Sequence, residues 1–206
     1  IRDVLTSRGL GDVYKRQAFD SCSRMSSYLT FGNISIKEVY QASKERADQI
    51  RLNKSKSNPE DKGWLKSLSS FQSRLRWHCH FIQKLEDEPE IENENINKAY
   101  DGLREGAFNS EYYEAWLKGQ TGYPLIDACM RALKDGGWIN FRMRAMLVSF
   151  TSYHLWLHWK KPAIELARLF TDYEPGIHYS QIQMQAGVTG INTCLLYTSP
   201  SPRDVS

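Results

Sequence analysis

The stretch Thr121-Gly122-Tyr123-Pro124-Leu125-Ile126-Asp127-Ala128-Cys129-Met130-Arg131-Ala132-Leu133, continuing through Gly136-Gly137-Trp138 to Asn140-Phe141-Arg142-Met143-Arg144-Ala145-Met146, decides how the chain reads. It predicts two helices joined by a tight glycine turn. Pro124 suits a first helical turn, where its missing N–H costs nothing, and Gly136-Gly137 supplies the permissive dihedrals that end one helix before the next. Leu125, Ile126, Cys129, Met130 and Leu133 fall on one face of the first helix. The second, from Ile139 to Trp159, is apolar on nearly every side, the pattern of a helix buried all round. It nevertheless carries Arg142 and Arg144, which two steps of about 100° set on nearly opposite sides. A buried guanidinium needs an anionic or hydrogen-bonding partner, because an unpaired charge in the interior is very costly.

The two ends of the chain read differently from its middle. Ser7 to Gln17 can be encoded by a DNA string whose reverse complement, read in the next frame, gives Cys194 to Asp204. Suitable codons extend the match through Val4 to Thr6 and Val205-Ser206. An inverted DNA repeat flanking a coding fragment is the mark of a sequencing or transposon adapter, so residues 1–17 and 194–206 are expected to be non-native tails. Residues 18–193 are expected to form one helical domain, a fragment of something longer. Of 27 Lys+Arg and 24 Asp+Glu, five basic residues (Arg2, Arg8, Lys15, Arg16, Arg203) and three acidic ones (Asp3, Asp12, Asp204) sit in those tails, so the middle carries a net +1 by subtraction. No global basic field argues for nucleic acid. Cys22, Cys79 and Cys129 then remain without metal-type spacing, which reads as reduced thiols in a cytoplasmic protein. The run from Ala145 to Trp159 is too short, and too interrupted by Ser149, Thr151, Ser152, His154 and His158, to span a bilayer.

Working outward, Ser35-Ile36-Lys37-Glu38 is a capping box opening a helix to about Ile50, and Arg51 to Lys62 is a polar loop. Trp64 to about Glu86 predicts a long helix whose core stripe is Leu68, Phe71, Leu75, Cys79 and Ile82. Beside the stripe lie Arg74, His78 and Phe81, with Trp77 at the edge. Such a wall could stack and hydrogen-bond a planar ligand, but periodicity alone favours a half-exposed face with an amphipathic Trp packed on a neighbour. Glu86 to Glu94 is an acidic run, expected to be solvated. A short helix follows from Ser110 to Lys118, and Pro162 opens another to about Phe170. Ser21, Ser23, Ser26 and Ser27, with Arg24 among them, offer hydroxyls to a phosphate, though composition favours an ordinary polar loop. Asp172 to Gly187 shows neither helical nor strand period and reads as a site loop rich in Asp, Glu, His, Tyr and Gln. His154 and His158 share an expected helix face but lack a third ligand, so no metal is expected.

Thr121 to Ala128, Gly137-Trp138 and Arg142-Met143-Arg144 together resemble the FAD-binding helical domain of the DNA photolyase/cryptochrome family. Ser23-Arg24-Met25-Ser26 looks like that family's serine-rich phosphate loop, and Asp172 to Asn192 stands where its loop over the isoalloxazine lies. The resemblance implies an all-α fold with FAD as cofactor and an antenna pigment in an N-terminal domain outside this chain. It implies that Ser23, Met25 and Ser26 cradle the pyrophosphate, with Arg24 fixing the loop. Trp138 would pack on the adenine and ribose side, and Arg144 with Asp172 would form the buried pair beside the flavin ring. Glu174 and His178 are candidates for the ring's polar edge, and Trp159 for the middle of an electron-transfer chain.

On the substrate side Trp77 matches the family's lesion-stacking tryptophan, with Arg74 and His78 on the same helix. The implied activity is blue-light repair of pyrimidine photolesions in damaged DNA by a monomeric, membrane-free protein. This sequence departs from the pattern in four places: Arg74 replaces a carboxylate, His78 an arginine and Phe141 an asparagine, and no tryptophan occurs from Tyr173 to Thr193. These departures keep open a cryptochrome-type photoreceptor with a signalling partner, and beyond it a helical domain with no cofactor.

Overall fold

A computed structural model describes residues 22–52, 63–106 and 108–190. The expected non-native tails and residues 53–62 of the expected polar loop lie outside them. The described residues form helices and turns: α1 (Ser26–Thr30), α2 (Ile36–Leu52), α3 (Trp64–Asp87), α4 (Ser110–Lys118), α5 (Pro124–Gly136), α6 (Phe141–Ser149), α7 (Lys160–Leu169) and α8 (Pro175–Ala186). Short 3₁₀ turns at Pro89–Glu92 and Lys98–Tyr100 connect α3 to α4.

Local chemistry fixes most of these boundaries. At the predicted capping box, Ser35 Oγ accepts from the Glu38 N–H at 3.2 Å while the Glu38 carboxylate accepts from the Ser35 N–H at 2.8 Å. Pro124 opens α5, and Gly137 ends it at φ +66°. Asn140 caps α6 by accepting from the Met143 N–H at 3.1 Å.

Two expectations fail. The apolar run from Ile139 to Trp159 is not one helix: α6 ends at Ser149, a π turn spans Phe150–His154, and Trp156 breaks the chain direction at φ +55°. Nor is α6 buried all round: within it only Leu147 and Val148 are buried, and Phe141 is exposed, whereas Leu157 and Trp159 beyond the break are fully enclosed. Conversely, Asp172 to Gly187 is no loop, because Pro175–Ala186 is α8. Its buried residues point in all directions, so no amphipathic period is left to see. Its boundary signals were nevertheless present: Glu174 accepts from the N–H groups of Gly176 and Ile177, Pro175 starts the helix and Gly187 closes it at φ +75°.

The core sits where α5, α6, α7 and α8 meet, around Met130, Leu133, Leu147, Trp159 and Leu166, none more than 1% exposed. A smaller cluster of Ala47, Ile50 and Leu68 joins α2 to α3. Two residues expected on core faces, Leu125 and Cys79, are exposed instead. Gln183, fully buried, anchors the acidic connection: its Nε2 donates to the carbonyls of Ile91 and Glu94, and its Oε1 accepts from the Ile96 N–H.

Helix α8 packs along α3, and closest approach is at Gly176. A Cβ there would lie 2.5 Å from the Phe81 carbonyl oxygen, a backbone atom that cannot swing aside. Gly176→Ala is therefore expected to cost about 2 kcal/mol or more through overpacking, read as a lowered urea midpoint at unchanged slope; an unaltered midpoint would show that the two helices separate freely.

Candidate functional site

Helix α6 carries its two arginines on opposite faces, and each face meets a different set of residues. On one face Arg144 Nη1 and Nη2 donate to Asp172 Oδ1 and Oδ2, both at 2.9 Å, and its Nε donates to the Ile139 carbonyl at 2.7 Å. The Asp172 side chain is only 3% exposed. A parallel fork of this kind is the geometry in which a guanidinium compensates a carboxylate's desolvation. The Arg144 guanidinium lies 4.2 Å from the centre of the Phe170 ring and 5.8 Å from that of Trp138.

Arg24 approaches the same tryptophan, its guanidinium carbon 4.0 Å from the Trp138 ring centre. The Oγ atoms of Ser27 and Thr171 lie 3.3 Å apart, tying the serine segment to the residue before Asp172. Arg24 has a left-handed φ of +51° and Met25 a right-handed conformation. Adjacent left- and right-handed residues are the backbone pattern from which anion-binding N–H concavities are built. Neither the Ser23 nor the Ser26 hydroxyl has a hydrogen-bond partner among the described residues. Ser23 to Ser26, Trp138, Arg144 and Asp172 are thus brought into one neighbourhood.

On the opposite face of α6 lies a cavity of about 920 Å³. Arg74, Trp77 and Phe81 of α3 form one wall, Tyr123 and Phe141 contribute further rings, and Arg142 lines it from α6. Arg142, expected to be buried, is exposed to this space. The turn that presents Tyr123 is held by Asp127, whose carboxylate accepts from the N–H and hydroxyl of Thr121 at 2.8 and 2.6 Å and from the Gly122 N–H at 3.0 Å. Burial pushes the Asp127 carboxyl up, but these bonds with Arg131 nearby outweigh it and hold it below its ordinary value.

Residues 71–205, more than half of the chain, match the family described as the FAD binding domain of DNA photolyase. The chain belongs to that family. The match runs past Thr193 into the stretch expected to be a non-native tail. A deoxyribodipyrimidine photo-lyase of Streptomyces griseus is 31% identical over 182 residues, 88% of this chain and 35% of that protein. Cryptochrome-2 of Arabidopsis thaliana is 28% identical over 148 residues, 71% of this chain and 23% of that protein. Among solved structures, an archaeal photolyase from Sulfolobus tokodaii with two FAD molecules superposes with a TM-score of 0.68 at 28% identity, covering 89% of this chain and 38% of that one. The chain thus spans about a third of the length of these relatives.

The cofactor of this photolyase-type domain is FAD. The residues present fit it: the backbone pattern at Arg24-Met25 with two uncommitted serine hydroxyls suits a pyrophosphate, and the Arg144–Asp172 fork leaves a partly exposed guanidinium beside aromatic rings.

Other expected site residues fall elsewhere. His78 does not line the cavity; it turns toward Glu174, its Nδ1 is buried without a partner among the described residues, and burial holds its pKa below the ordinary value. Glu174 serves first as the cap of α8. Trp159 is 1% exposed, donates from Nε1 to Asn95 at 2.7 Å and meets Tyr179 edge-on, their ring centres 6.4 Å apart. Tyr179 and Tyr173 are ring neighbours that no sequence signal singled out. His154 and His158 are separated by the break at Trp156, and no group of three His, Cys, Asp or Glu able to hold a metal occurs among the described residues.

His178 is 8% exposed, and burial pulls its pKa down to about 4, only partly offset by its contact with the Ala163 carbonyl at 2.9 Å. The ring is therefore neutral at pH 7, with Nε2 carrying the proton that it donates to Ala163. Because the folded value lies below the ordinary 6.5, the unfolded chain takes up the proton first on acidification, and stability falls as pH drops from about 6.5 toward 4. Urea unfolding is expected to show this slope across that window and His178→Gln to flatten it; parallel pH profiles for the two proteins would contradict the assignment.

Proposed function

We propose that this domain is the catalytic part of a light-driven DNA repair enzyme acting on pyrimidine photolesions. Support comes above all from the placement of two sites on opposite faces of α6, the Arg144–Asp172 neighbourhood on one and the cavity with Trp77, Arg74 and Arg142 on the other. Ser23, Met25 and Ser26 would hold the cofactor's pyrophosphate and Arg24 the loop, while Trp138 flanks the adenine side. Arg144, its orientation held by Asp172 and Ile139, would offer fixed positive charge to the flavin ring. When bound and reduced, FAD would supply the light-driven electron.

The chain's remaining work is geometric. A lesion swung out of the duplex trades its stacking partners for the exposed face of Trp77, at 52% exposure, while Arg74 and Arg142 offer positive charge to flanking phosphates. Trp159, beside Tyr179, belongs to the interior route by which the cofactor is recharged. The protein works as a monomer in a reducing cytoplasm, in keeping with the free Cys22, Cys79 and Cys129 among the described residues. No helix among the described residues is long and apolar enough to cross a membrane.

A second reading rests on Arg74. Its cationic side chain lines the cavity and gives a lesion no proton-donating carboxyl there, which favours a cryptochrome-type receptor acting on a signalling partner. Two measurements on the full-length protein separate the readings. Arg144→Ala is expected to lose flavin absorbance by more than about tenfold, since it strands a buried carboxylate; a wild-type protein that stays colourless with excess FAD would remove the cofactor from the scheme. Trp77→Ala is expected to weaken binding of dimer-containing oligonucleotide by about tenfold with flavin content unchanged. If illuminated, flavin-loaded wild type leaves both cyclobutane dimers and (6-4) products intact, the receptor reading replaces repair.

A further inference from the structure

The polar floor of the cavity has no part in the scheme so far. Gln181 and Gln185 stand one helical turn apart on α8 and both line the cavity. Gln185 is only 8% exposed, yet its carboxamide makes no hydrogen bond among the described residues; its main-chain carbonyl alone is engaged, 3.5 Å from Ser149 Oγ. Gln181 is likewise uncommitted. Gln183, between them, shows the contrast: its carboxamide is fully buried and makes three hydrogen bonds to the main chain of the preceding connection. The helix therefore separates an anchoring glutamine from two that face open space. Facing the cavity and not the core, each carboxamide keeps two donors and two acceptor lone pairs open to a group bound there.

The chemistry around these amides narrows what satisfies them. Rings line the cavity on two sides, Trp77 from α3 and Phe141 from α6, and Arg74 and Arg142 add positive charge. A planar group that is anionic at its linkage and offers alternating donors and acceptors along its edge fits all three features. A pyrimidine nucleotide has that edge, and a carboxamide meets it by donating and accepting at once. Residues four apart on a helix are separated by about 6 Å along the axis, a span that two flexible side chains close onto adjacent bases.

We infer that Gln181 and Gln185 are specificity residues that read the edges of two extruded neighbouring pyrimidines, one glutamine to each base. This rests on the repair reading, and its test keeps the two distinguishable. Full-length, FAD-loaded protein is titrated against a fluorescent oligonucleotide carrying one thymine dimer and against its undamaged twin. Gln185→Met, which keeps length and removes the hydrogen bonds, is expected to raise Kd for the dimer about tenfold while leaving undamaged DNA binding and flavin absorbance as in the wild type. Gln181→Met, at a half-buried site, is expected to act in the same direction and decides the matter should Gln185→Met lose its flavin. Dimer affinity within about twofold of wild type in the flavin-retaining variant overturns the assignment while lesion binding stands. A wild type that binds damaged and undamaged strands alike overturns both.

Discussion

The fork between Arg144 and Asp172 is the constraint on which the rest of the site depends. Both partners belong to segments distant in the chain: the start of α6 and the connection leading into α8. Removing either partner leaves the other as an uncompensated buried charge, a loss of about 3–5 kcal/mol for pairs of this kind. Neighbouring contacts fix the same seam. The Gly137 carbonyl accepts from the Thr171 N–H at 2.9 Å, and Gly137, in the left-handed region, has no room for a side chain because a Cβ would come within 2.4 Å of Thr171 Cγ2. With that seam closed, Trp138 faces Arg24 and the serine segment, which comes to lie beside the buried pair.

Helix α8 carries obligations on several sides at once, and its composition follows from them. Glu174 and Gly187 terminate it, Gly176 lets it approach α3, Gln183 staples it to the acidic connection, and His178 packs edge-on to Phe170 beneath Arg144. Such a helix cannot be amphipathic. Glu174, His178 and Gln183 have their partners within the fold while Gln181 and Gln185 face the cavity, so the helix's polar content says little about solvent.

That is also why the sequence was legible in some places and not in others. The pattern from Thr121 to Arg144 carries its own punctuation, with Pro124 at a helix start, a glycine at its end and Asn140 at the next start, so both helices fall where the residues put them. The capping box at Ser35 and the long α3 were equally open to reading. Periodicity failed where apolar residues line a cavity as well as a core, and where a helix meets neighbours on most sides. It merged α6 with an irregular but equally apolar segment up to Trp159, and it hid α8 behind polar residues that face inward. The pairing of Arg144 with Asp172 was legible through resemblance, since 28 residues of chain separate the partners and no local rule joins them. For Arg142 helical spacing did give the opposite face, but the apolar neighbours suggested burial. Phe141 and Leu125 are apolar because they line a cavity, and an open cavity wall and a core look alike in sequence.

Placing both sites on one helix has a consequence for chemistry that loops would not deliver. Arg142 and Arg144 are two residues apart, so their Cα atoms differ by about 3 Å along the axis and face nearly opposite ways. The thickness of a single helix then sets the distance between what binds at each face. A helix whose neighbours on both sides are fixed, by the carboxylate of Asp172 on one and by α8 packing along it on the other, cannot change that distance without breaking a buried ion pair. Transfer between two bound groups depends steeply on their separation and orientation, and rigid elements hold these more closely than loops do. Residues that line the cavity, such as Arg74 and Phe141, can accordingly vary without altering the spacing to the Arg144–Asp172 face.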